Sequence, residues 1–168
     1  MAKNLEIKVK VESLNQIENI LLSNKLRQIE ILEQKDIYYK TTTGRLKLRI
    51  ENGDERLIYY NRSEQKGEER FSDYELLEIS SANGESFFSK LYDILVVVEK
   101  RRVLYIRENT RIHLDLVKNL GEFVELETIV TVDEGSALKE FEFVVQMLGL
   151  KQYEEYRGSY SDLMLAGL

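Results

Sequence analysis

The 168-residue chain contains no cysteine, no proline and no tryptophan, and it has a single histidine. Without cysteine it can form neither a disulfide framework nor a cysteine-ligated zinc site. Thirty acidic residues against 24 basic ones give a net charge of -6. This balance disfavours sequence-independent binding to nucleic acid, which requires cationic neutralisation of phosphates, but it still allows a local basic site.

Long apolar runs are also missing, since the longest, Ile94 to Val98, has five residues. A membrane-spanning helix needs about 20 apolar residues, and a signal peptide needs an apolar region of roughly 7–15. We therefore expect a soluble, cytoplasmic protein with no membrane partner. With 43% apolar residues the chain is rich enough for a hydrophobic core, and we expect one domain over residues 1–168.

Alternation of apolar and polar residues is the strongest local signal. It runs through Asn4 to Val11, Arg45 to Ile50 and Arg111 to Leu116, and it predicts strands with one apolar and one charged face. Segments rich in β-branched and aromatic residues predict five further strands. These lie at about 28–39, 56–62, 69–80, 95–107 and 122–131.

Two longer helices are predicted from their end signals. One follows Ser13, whose hydroxyl forms a capping-box pattern with Gln16. Another has Asp133 as its N-cap and ends at Gly149. The sequence therefore combines helices with strands.

Two shorter helices complete the pattern. The first spans about 84–93, where we expect Phe87, Phe88 and Leu91 to be buried, and the second follows Ser159. Strands outnumber helices, so the sequence predicts an α+β fold dominated by antiparallel strands.

The polar faces of the predicted strands carry rows of like charge, which destabilise a sheet when they lie directly opposite one another. These polar faces together carry nine basic and four acidic residues, which gives a surplus of five positive charges. They are Lys8, Lys10, Arg45, Lys47, Arg49, Arg62, Lys100, Arg102 and Arg111 against Glu6, Asp115, Glu125 and Glu127. A sheet closed into a barrel, with helices over its apolar outer face, would turn these rows inward. A triphosphate, with roughly four negative charges, matches such a cationic lining.

The acidic residues need a separate explanation. Glu125 and Glu127 are two residues apart on a strand and share one face, where Asp115 and Glu6 would join them. Clustered carboxylates repel unless a cation or protons lie between them. Beside phosphate oxygens the expected ion is Mg²⁺ or Mn²⁺.

Eight short motifs carry a family resemblance that covers nearly the whole chain. In order they are Leu5-Glu6-Ile7-Lys8, Gln34-Lys35-Asp36-Ile37-Tyr38-Tyr39, Gly44-Arg45-Leu46-Lys47-Leu48-Arg49, Ile58-Tyr59-Tyr60-Asn61-Arg62, Lys100-Arg101-Arg102, Thr110-Arg111-Ile112-His113-Leu114-Asp115, Leu120-Gly121-Glu122-Phe123-Val124-Glu125-Leu126-Glu127 and Ser159-Tyr160-Ser161-Asp162-Leu163. With these motifs the chain resembles the CYTH family. Its members are triphosphate tunnel metalloenzymes, including class IV adenylyl cyclases, thiamine triphosphatases and inorganic triphosphatases.

The resemblance implies an eight-stranded antiparallel β-barrel, the triphosphate tunnel, with helices packed on the outside. It implies Mg²⁺ or Mn²⁺ as cofactor, with Glu6, Asp115, Glu125 and Glu127 as metal-site residues. It implies phosphate binding by Lys8, Lys47, Arg49, Arg62, Lys100, Arg102 and Arg111. Glu6 and Lys8, from the opening motif, are the residues to which we assign a catalytic role.

The chain departs from the family pattern at two positions. The opening signature Glu-x-Glu-x-Lys becomes Asn4-Leu-Glu6-Ile-Lys8, which replaces one carboxylate by a carboxamide and weakens attraction for a divalent ion. Ser63 stands where the family has proline after the arginine at position 62. We interpret His113, the only histidine, as a structural or supporting group of the tunnel wall rather than a general base.

Three functions fit these residues. The first is a class IV adenylyl cyclase-like conversion of ATP to cyclic AMP and pyrophosphate. The second is a triphosphatase that hydrolyses inorganic triphosphate, thiamine triphosphate or a nucleoside triphosphate. The third, allowed by Asn4, is a non-catalytic protein that binds triphosphate or polyphosphate. A small-molecule triphosphate is the expected partner, nucleic acid is disfavoured, and a homodimer is left open.

Overall fold

The computed structural model describes residues 4–62, 72–80 and 83–167, without the side chains of residues 61, 62 and 72–74. The strands are β1 (Asn4–Val11), β2 (Gln28–Tyr39), β3 (Arg45–Glu51), β4 (Asp54–Arg62), β5 (Ser72–Ile79), β6 (Ile94–Arg107), β7 (Thr110–Val117) and β8 (Gly121–Ile129). The helices are α1 (Leu14–Ser23), α2 (Gly84–Leu91), α3 (Glu134–Met147) and α4 (Tyr160–Leu165), with a 3-10 turn at Leu150–Gln152. All predicted strands and helices are confirmed; residues 69–71 of the predicted fifth strand lie outside the described residues.

The strands form one eight-stranded sheet with the order β1-β8-β7-β6-β2-β3-β4-β5. Neighbouring strands pair antiparallel along both halves of this order. The tight connection between β3 and β4 shows how sequence sets the register. Asn52 and Gly53 have φ values of +50° and +96°, which suit a two-residue hairpin turn. The predicted α+β, antiparallel fold class is confirmed.

The Cα positions divide the described chain into two compact units. In the first, residues 4–32 and 100–159, helices α1 and α3 cover the apolar face of β1, β6, β7 and β8. The fully buried members include Val9, Ile17, Ile112, Val124 and Val144. Because side chains alternate along a strand, burial of this face places the charged residues of the same strands on the other face.

The starts of α1 and α3 show one wrong prediction and one confirmed one. The Ser13 side chain makes no capping hydrogen bond. Instead, the Leu14 N–H at the start of α1 donates to a carboxylate oxygen of Glu122 in β8. A backbone N–H group that has no partner within the helix thus finds its acceptor 108 residues away in the sequence. At α3, the predicted cap is present, since Asp133 Oδ1 accepts from Ser136 N at 2.8 Å.

Among the described residues, the second unit comprises 33–62, 72–80, 83–99 and 160–167. Ile37, Tyr39 and Leu48 form its buried core, with Phe88 of α2 packed against them. The expectation that Phe87 and Leu91 are also buried is wrong, because they are 57% and 60% exposed. Successive residues on a helix point about 100° apart, so α2 can direct only one of the two adjacent phenylalanines at this core. No helix within the described ranges is long and apolar enough to cross a membrane.

Candidate functional site

The register of the first unit aligns charged residues across three strands. β1 places Glu6 opposite Glu127 and Lys8 opposite Glu125. β7 then places His113 opposite Glu125 on the other side of β8. Directly paired residues of neighbouring antiparallel strands share one face. The strand alternation seen in the sequence therefore becomes a continuous charged face.

Two of the predicted metal-site residues lie close together on this face. One carboxylate oxygen from each of Glu125 and Glu127, with one ring nitrogen of His113, all lie within 4.8 Å of one another. Burial and the nearby Glu125 carboxylate raise the pKa of Glu127. Crowded carboxylates of this kind favour a bound cation. The oxygen-rich donor set fits the divalent ion that the resemblance implies.

Glu125 also contacts basic groups that were predicted to bind phosphate. Its Oε2 lies 3.3 Å from Lys8 Nζ and 3.4 Å from Arg102 Nη2. Burial disfavours the charged form of Glu125, but Arg102 and Lys8 outweigh it and hold the pKa of this carboxyl below its usual value. Glu125 is therefore ionised near neutral pH and joins the acidic part of the face to the basic part.

Lys8 is held in place through its backbone and its side chain by residues of a later segment. Its backbone carbonyl accepts from Tyr156 N at 2.8 Å, and its Nζ donates to the Gly158 carbonyl at 3.2 Å. The side chain is buried. A lysine fixed by several partners loses less conformational freedom when it binds an anion.

Asp115, predicted as a metal-site residue, is completely buried and bound to a guanidinium group. Arg102 Nε donates to Oδ1 at 2.7 Å and Arg102 Nη2 to Oδ2 at 2.6 Å. Lys100 Nζ lies 3.9 Å from Oδ2. Such a two-bond pairing fixes the orientation of the arginine side chain. In this structure Asp115 therefore holds two predicted phosphate ligands in place.

A similar arrangement occurs in the second unit, around Asp36. Arg49 donates to both carboxylate oxygens of Asp36, each at 2.7 Å, and Lys47 Nζ lies 2.9 Å from Oδ2. Burial lowers the pKa of Lys47, although Asp36 opposes this shift. Asp36 was not among the predicted site residues. Alternation with Tyr38 in β2 indicates only which strand face Asp36 is on, and the register between β2 and β3 places it directly opposite Arg49.

The two units thus share one local design. In each, a Lys-x-Arg stretch of one strand contacts a buried aspartate of the neighbouring strand, directly opposite the arginine. Asp36 is 5% exposed and Asp115 is fully buried. Buried charges are costly unless they are paired. Each aspartate therefore balances part of the positive charge and orients the donors beside it.

Among the remaining predicted residues, Glu6 and Arg111 are less enclosed. Glu6 is exposed. Arg111 Nη1 lies 3.9 Å from Glu127 Oε2, and the arginine side chain is half exposed. Arg62 pairs with Ser72 through the backbone of β4, but its side chain lies outside the described residues.

Two further basic residues from the charged rows have partners away from these clusters. Arg45 Nη1 lies 2.7 Å from Asp162 Oδ1 in the second unit. Lys10 Nζ lies 5.8 Å from the centre of the Phe123 ring in the first.

His113 is buried in the charged face of the first unit. Burial lowers its pKa to about 4, and the positive charge of Arg102 contributes in the same direction. The imidazole is therefore neutral at neutral pH. Its Nδ1 atom is buried and has no hydrogen-bond partner within the described part of the chain.

Comparison with known proteins decides the family, since the CYTH domain profile matches residues 2–160. The chain belongs to the CYTH family. A relative from Methanocaldococcus jannaschii, named "Putative adenylate cyclase MJ0240", is 25% identical over 95% of this chain and 97% of its own length. CYTH members are typically enzymes, and the family binds triphosphate substrates, generally with a divalent metal.

Solved structures agree with the CYTH fold. The PH1012 protein of Pyrococcus horikoshii has a TM-score of 0.76 at 24% identity, covering 95% of this chain and 98% of that protein. A Hippeastrum protein described as having a dominant triphosphatase activity has a TM-score of 0.70 at 15% identity, covering 99% and 96%. At these identities the likeness establishes the fold.

Proposed function

We propose that this CYTH protein is a divalent-metal-dependent enzyme that acts on a triphosphate, with conversion of ATP to cyclic AMP and pyrophosphate as its leading activity. The observation that supports this most strongly is the burial of Lys8, Lys100, Asp115 and Glu125, at 8%, 9%, 0% and 7% exposure, on one charged face. Solvated surface residues would not require such enclosure. A charged ligand explains why these groups are kept together.

Basic residues supply the phosphate-binding part of the proposal. Lys8, Lys100 and Arg102 are proposed to donate to phosphate oxygens in the first unit. Lys47 and Arg49 are proposed, separately, as phosphate ligands of the second unit. Asp115 orients the Arg102 guanidinium group before the substrate binds, and Asp36 does the same for Arg49. Preorganised donors lower the barrier because they need not reorganise as charge develops on the reacting phosphate. Arg111 and Arg62 are proposed as additional phosphate ligands.

Acidic residues supply the metal-binding part. Glu125 and Glu127 would hold Mg²⁺ or Mn²⁺. Glu6 is opposite Glu127 in the register between β1 and β8. Asp115 is bound to Arg102, which also contacts Glu125. The bound ion would act as a Lewis acid on the phosphate oxygens and would help orient the nucleophile. Glu6 and Lys8, from adjacent alternating positions of β1, remain the proposed catalytic residues.

The nature of the nucleophile separates cyclase from hydrolase. In cyclisation the ribose 3′-hydroxyl attacks the α-phosphorus, and pyrophosphate leaves. The name of the 25% identical relative supports this form. Hydrolysis by water is the alternative, with inorganic triphosphate, thiamine triphosphate or a nucleoside triphosphate as substrate. It is favoured because the assigned residues are proposed to bind phosphate or metal or to orient those that do, so none of them selects the group that carries the triphosphate.

A third possibility is binding without turnover. It is favoured by Asn4, which offers a neutral oxygen where the family signature has a carboxylate. An ATP- or polyphosphate-binding protein would retain the basic clusters but would load the metal too weakly for catalysis.

A product assay distinguishes the three. Purified protein is incubated with ATP, tripolyphosphate or thiamine triphosphate and with Mg²⁺ or Mn²⁺, and cyclic AMP, pyrophosphate and orthophosphate are measured. Cyclic AMP with equimolar pyrophosphate supports the cyclase, orthophosphate supports the triphosphatase, and saturable binding without product supports the binder. Glu125→Gln serves as the inactive control, and Asp93→Asn, in an exposed pair with Lys40, as the matched surface control. Absence of both binding and product would contradict the proposal.

A further inference from the structure

His113 lies where a third metal ligand would be needed. It is directly opposite Glu125 in the register between β7 and β8. One of its ring nitrogens and one oxygen from each of Glu125 and Glu127 lie within 4.8 Å of one another. Three donor atoms this close can bind one ion after small side-chain adjustments, since first-row metals are bound at about 2.0–2.2 Å.

The hydrogen bonding of His113 also supports a role in binding an ion. His113 is 6% exposed, and its Nδ1 atom has no partner among the described residues. Buried polar atoms in proteins are normally hydrogen-bonded, so an unsatisfied one requires an explanation such as an ion. A histidine with a purely structural role would be expected to donate and accept within the protein.

The chemistry of the donor set indicates which ions fit. Carboxylate oxygens suit Mg²⁺ and Mn²⁺ alike, whereas an imidazole nitrogen is a softer donor that favours transition metals. Mg²⁺ prefers an all-oxygen octahedral shell that retains several waters. We propose that His113 is a direct metal ligand, together with Glu125 and Glu127, and that it makes this site selective for a transition-metal ion over Mg²⁺. This inference rests on the proposed function, because it adds a ligand to the same metal site.

Pulsed electron paramagnetic resonance on Mn²⁺-loaded protein tests the ligand directly. The experiment uses the full chain without a histidine tag, with and without tripolyphosphate. Because the chain has one histidine, any modulation from an imidazole ¹⁴N nucleus must come from His113. We expect this modulation in the wild type and its loss in His113→Gln. Bound Mn²⁺ without ¹⁴N modulation in the wild type would overturn the inference, whether or not the variant folds.

Calorimetric titrations with Mn²⁺ and Mg²⁺ test selectivity. Loss of a ligand or its partner commonly costs 10- to 100-fold in metal affinity. We expect His113→Gln to lower Mn²⁺ affinity about tenfold or more while Mg²⁺ affinity changes less than about threefold. Equal changes for both ions, or none, would overturn the selectivity claim.

The control variant Glu125→Gln separates failure of this inference from failure of the proposed function. If Glu125→Gln abolishes Mn²⁺ binding but His113→Gln leaves it unchanged, the metal site stands and His113 is not its ligand. If Mn²⁺ binds to no form of the protein, even with tripolyphosphate present, both the inference and the proposed function are wrong.

Discussion

Replacement of Asp115 by asparagine should destabilise the protein strongly even when no metal is present. The carboxylate is fully buried and accepts two charge-assisted hydrogen bonds from Arg102 at 2.7 and 2.6 Å. A carboxamide of the same shape would direct an NH₂ group at one of the two donor nitrogens. It would also remove the buried negative charge that Asp115 places beside Arg102 and the nearby Lys100, which leaves Glu125 as the buried carboxylate near Arg102.

The magnitude follows from the cost of breaking a buried ion pair. Removing one partner of such a pair costs about 3–5 kcal/mol, because the remaining charge is left buried. For a chain of this size, each kcal/mol lowers the midpoint of thermal unfolding by about 2–4 °C. Asp115→Asn should therefore lower the midpoint by about 10 °C. Tripolyphosphate should restore part of the loss, because it supplies negative charge and binds only the folded state.

Thermal and denaturant unfolding in a buffer containing EDTA would measure this effect. The matched control is Asp93→Asn, the same substitution in a pair whose side chains are 83% and 60% exposed. Exposed pairs contribute less than about 1 kcal/mol, so the control should resemble the wild type. If Asp115→Asn were no more destabilising than Asp93→Asn, the view that Asp115 orients Arg102 would be refuted.

Four further predictions address the site. Arg49→Ala and Lys100→Ala should each weaken tripolyphosphate binding about tenfold or more by calorimetry, since a hydrogen bond involving a charged group contributes about 1.5–3 kcal/mol; unchanged affinity in both would remove their assignment. Glu125→Gln should reduce metal-dependent turnover while tripolyphosphate still binds, and wild-type rates would exclude Glu125 from the metal site. Asn4→Glu should raise Mn²⁺ affinity and activity if the missing carboxylate limits metal occupancy, so no change would reject that explanation. Folding lowers the pKa of His113 from 6.5 to about 4, so the unfolded state takes up the proton first as the pH falls. The stabilisation is complete above pH 6.5 and is lost toward pH 4. In chelator-treated protein, the wild type should lose up to about 3 kcal/mol more than His113→Gln over this range. If the free energy of unfolding fell equally with pH in both proteins, the lowered pKa of His113 would be contradicted.

Local sequence patterns predicted the elements well because their causes are local. Alternation in 45–50 marks β3, and the Asn52-Gly53 turn, which needs positive φ at both residues, sets its end. Asp133 caps α3 through a residue three positions away. In both cases the residues that determine the structure are neighbours in sequence, so the pattern contains the whole argument.

Predictions failed where the deciding contact lies far along the chain. At the start of α1, the Leu14 N–H donates to the Glu122 carboxylate, and no capping pattern around Ser13 could indicate this contact. Asp36 was missed because its role depends on the register between β2 and β3, which places it opposite Arg49. Sequence alternation identifies which residues share a strand face, but only strand pairing determines which charges meet.

The charged face gives the clearest example of this limit. Spacing alone placed Glu125 and Glu127 on one side of a strand, and the structure adds His113 beside them. A single histidine in an alternating strand is compatible with many roles. Its burial and the unsatisfied Nδ1 atom, which are properties of the folded chain, are what distinguish it.

A crystal structure with Mn²⁺ and a non-hydrolysable ATP analogue would test the central claim most directly. We predict Mn²⁺ anomalous scattering between Glu125 and Glu127, with phosphate oxygens within hydrogen-bond distance of Lys8, Lys100 and Arg102. A triphosphate bound elsewhere, with no phosphate oxygen within hydrogen-bond distance of these basic side chains, would contradict the account.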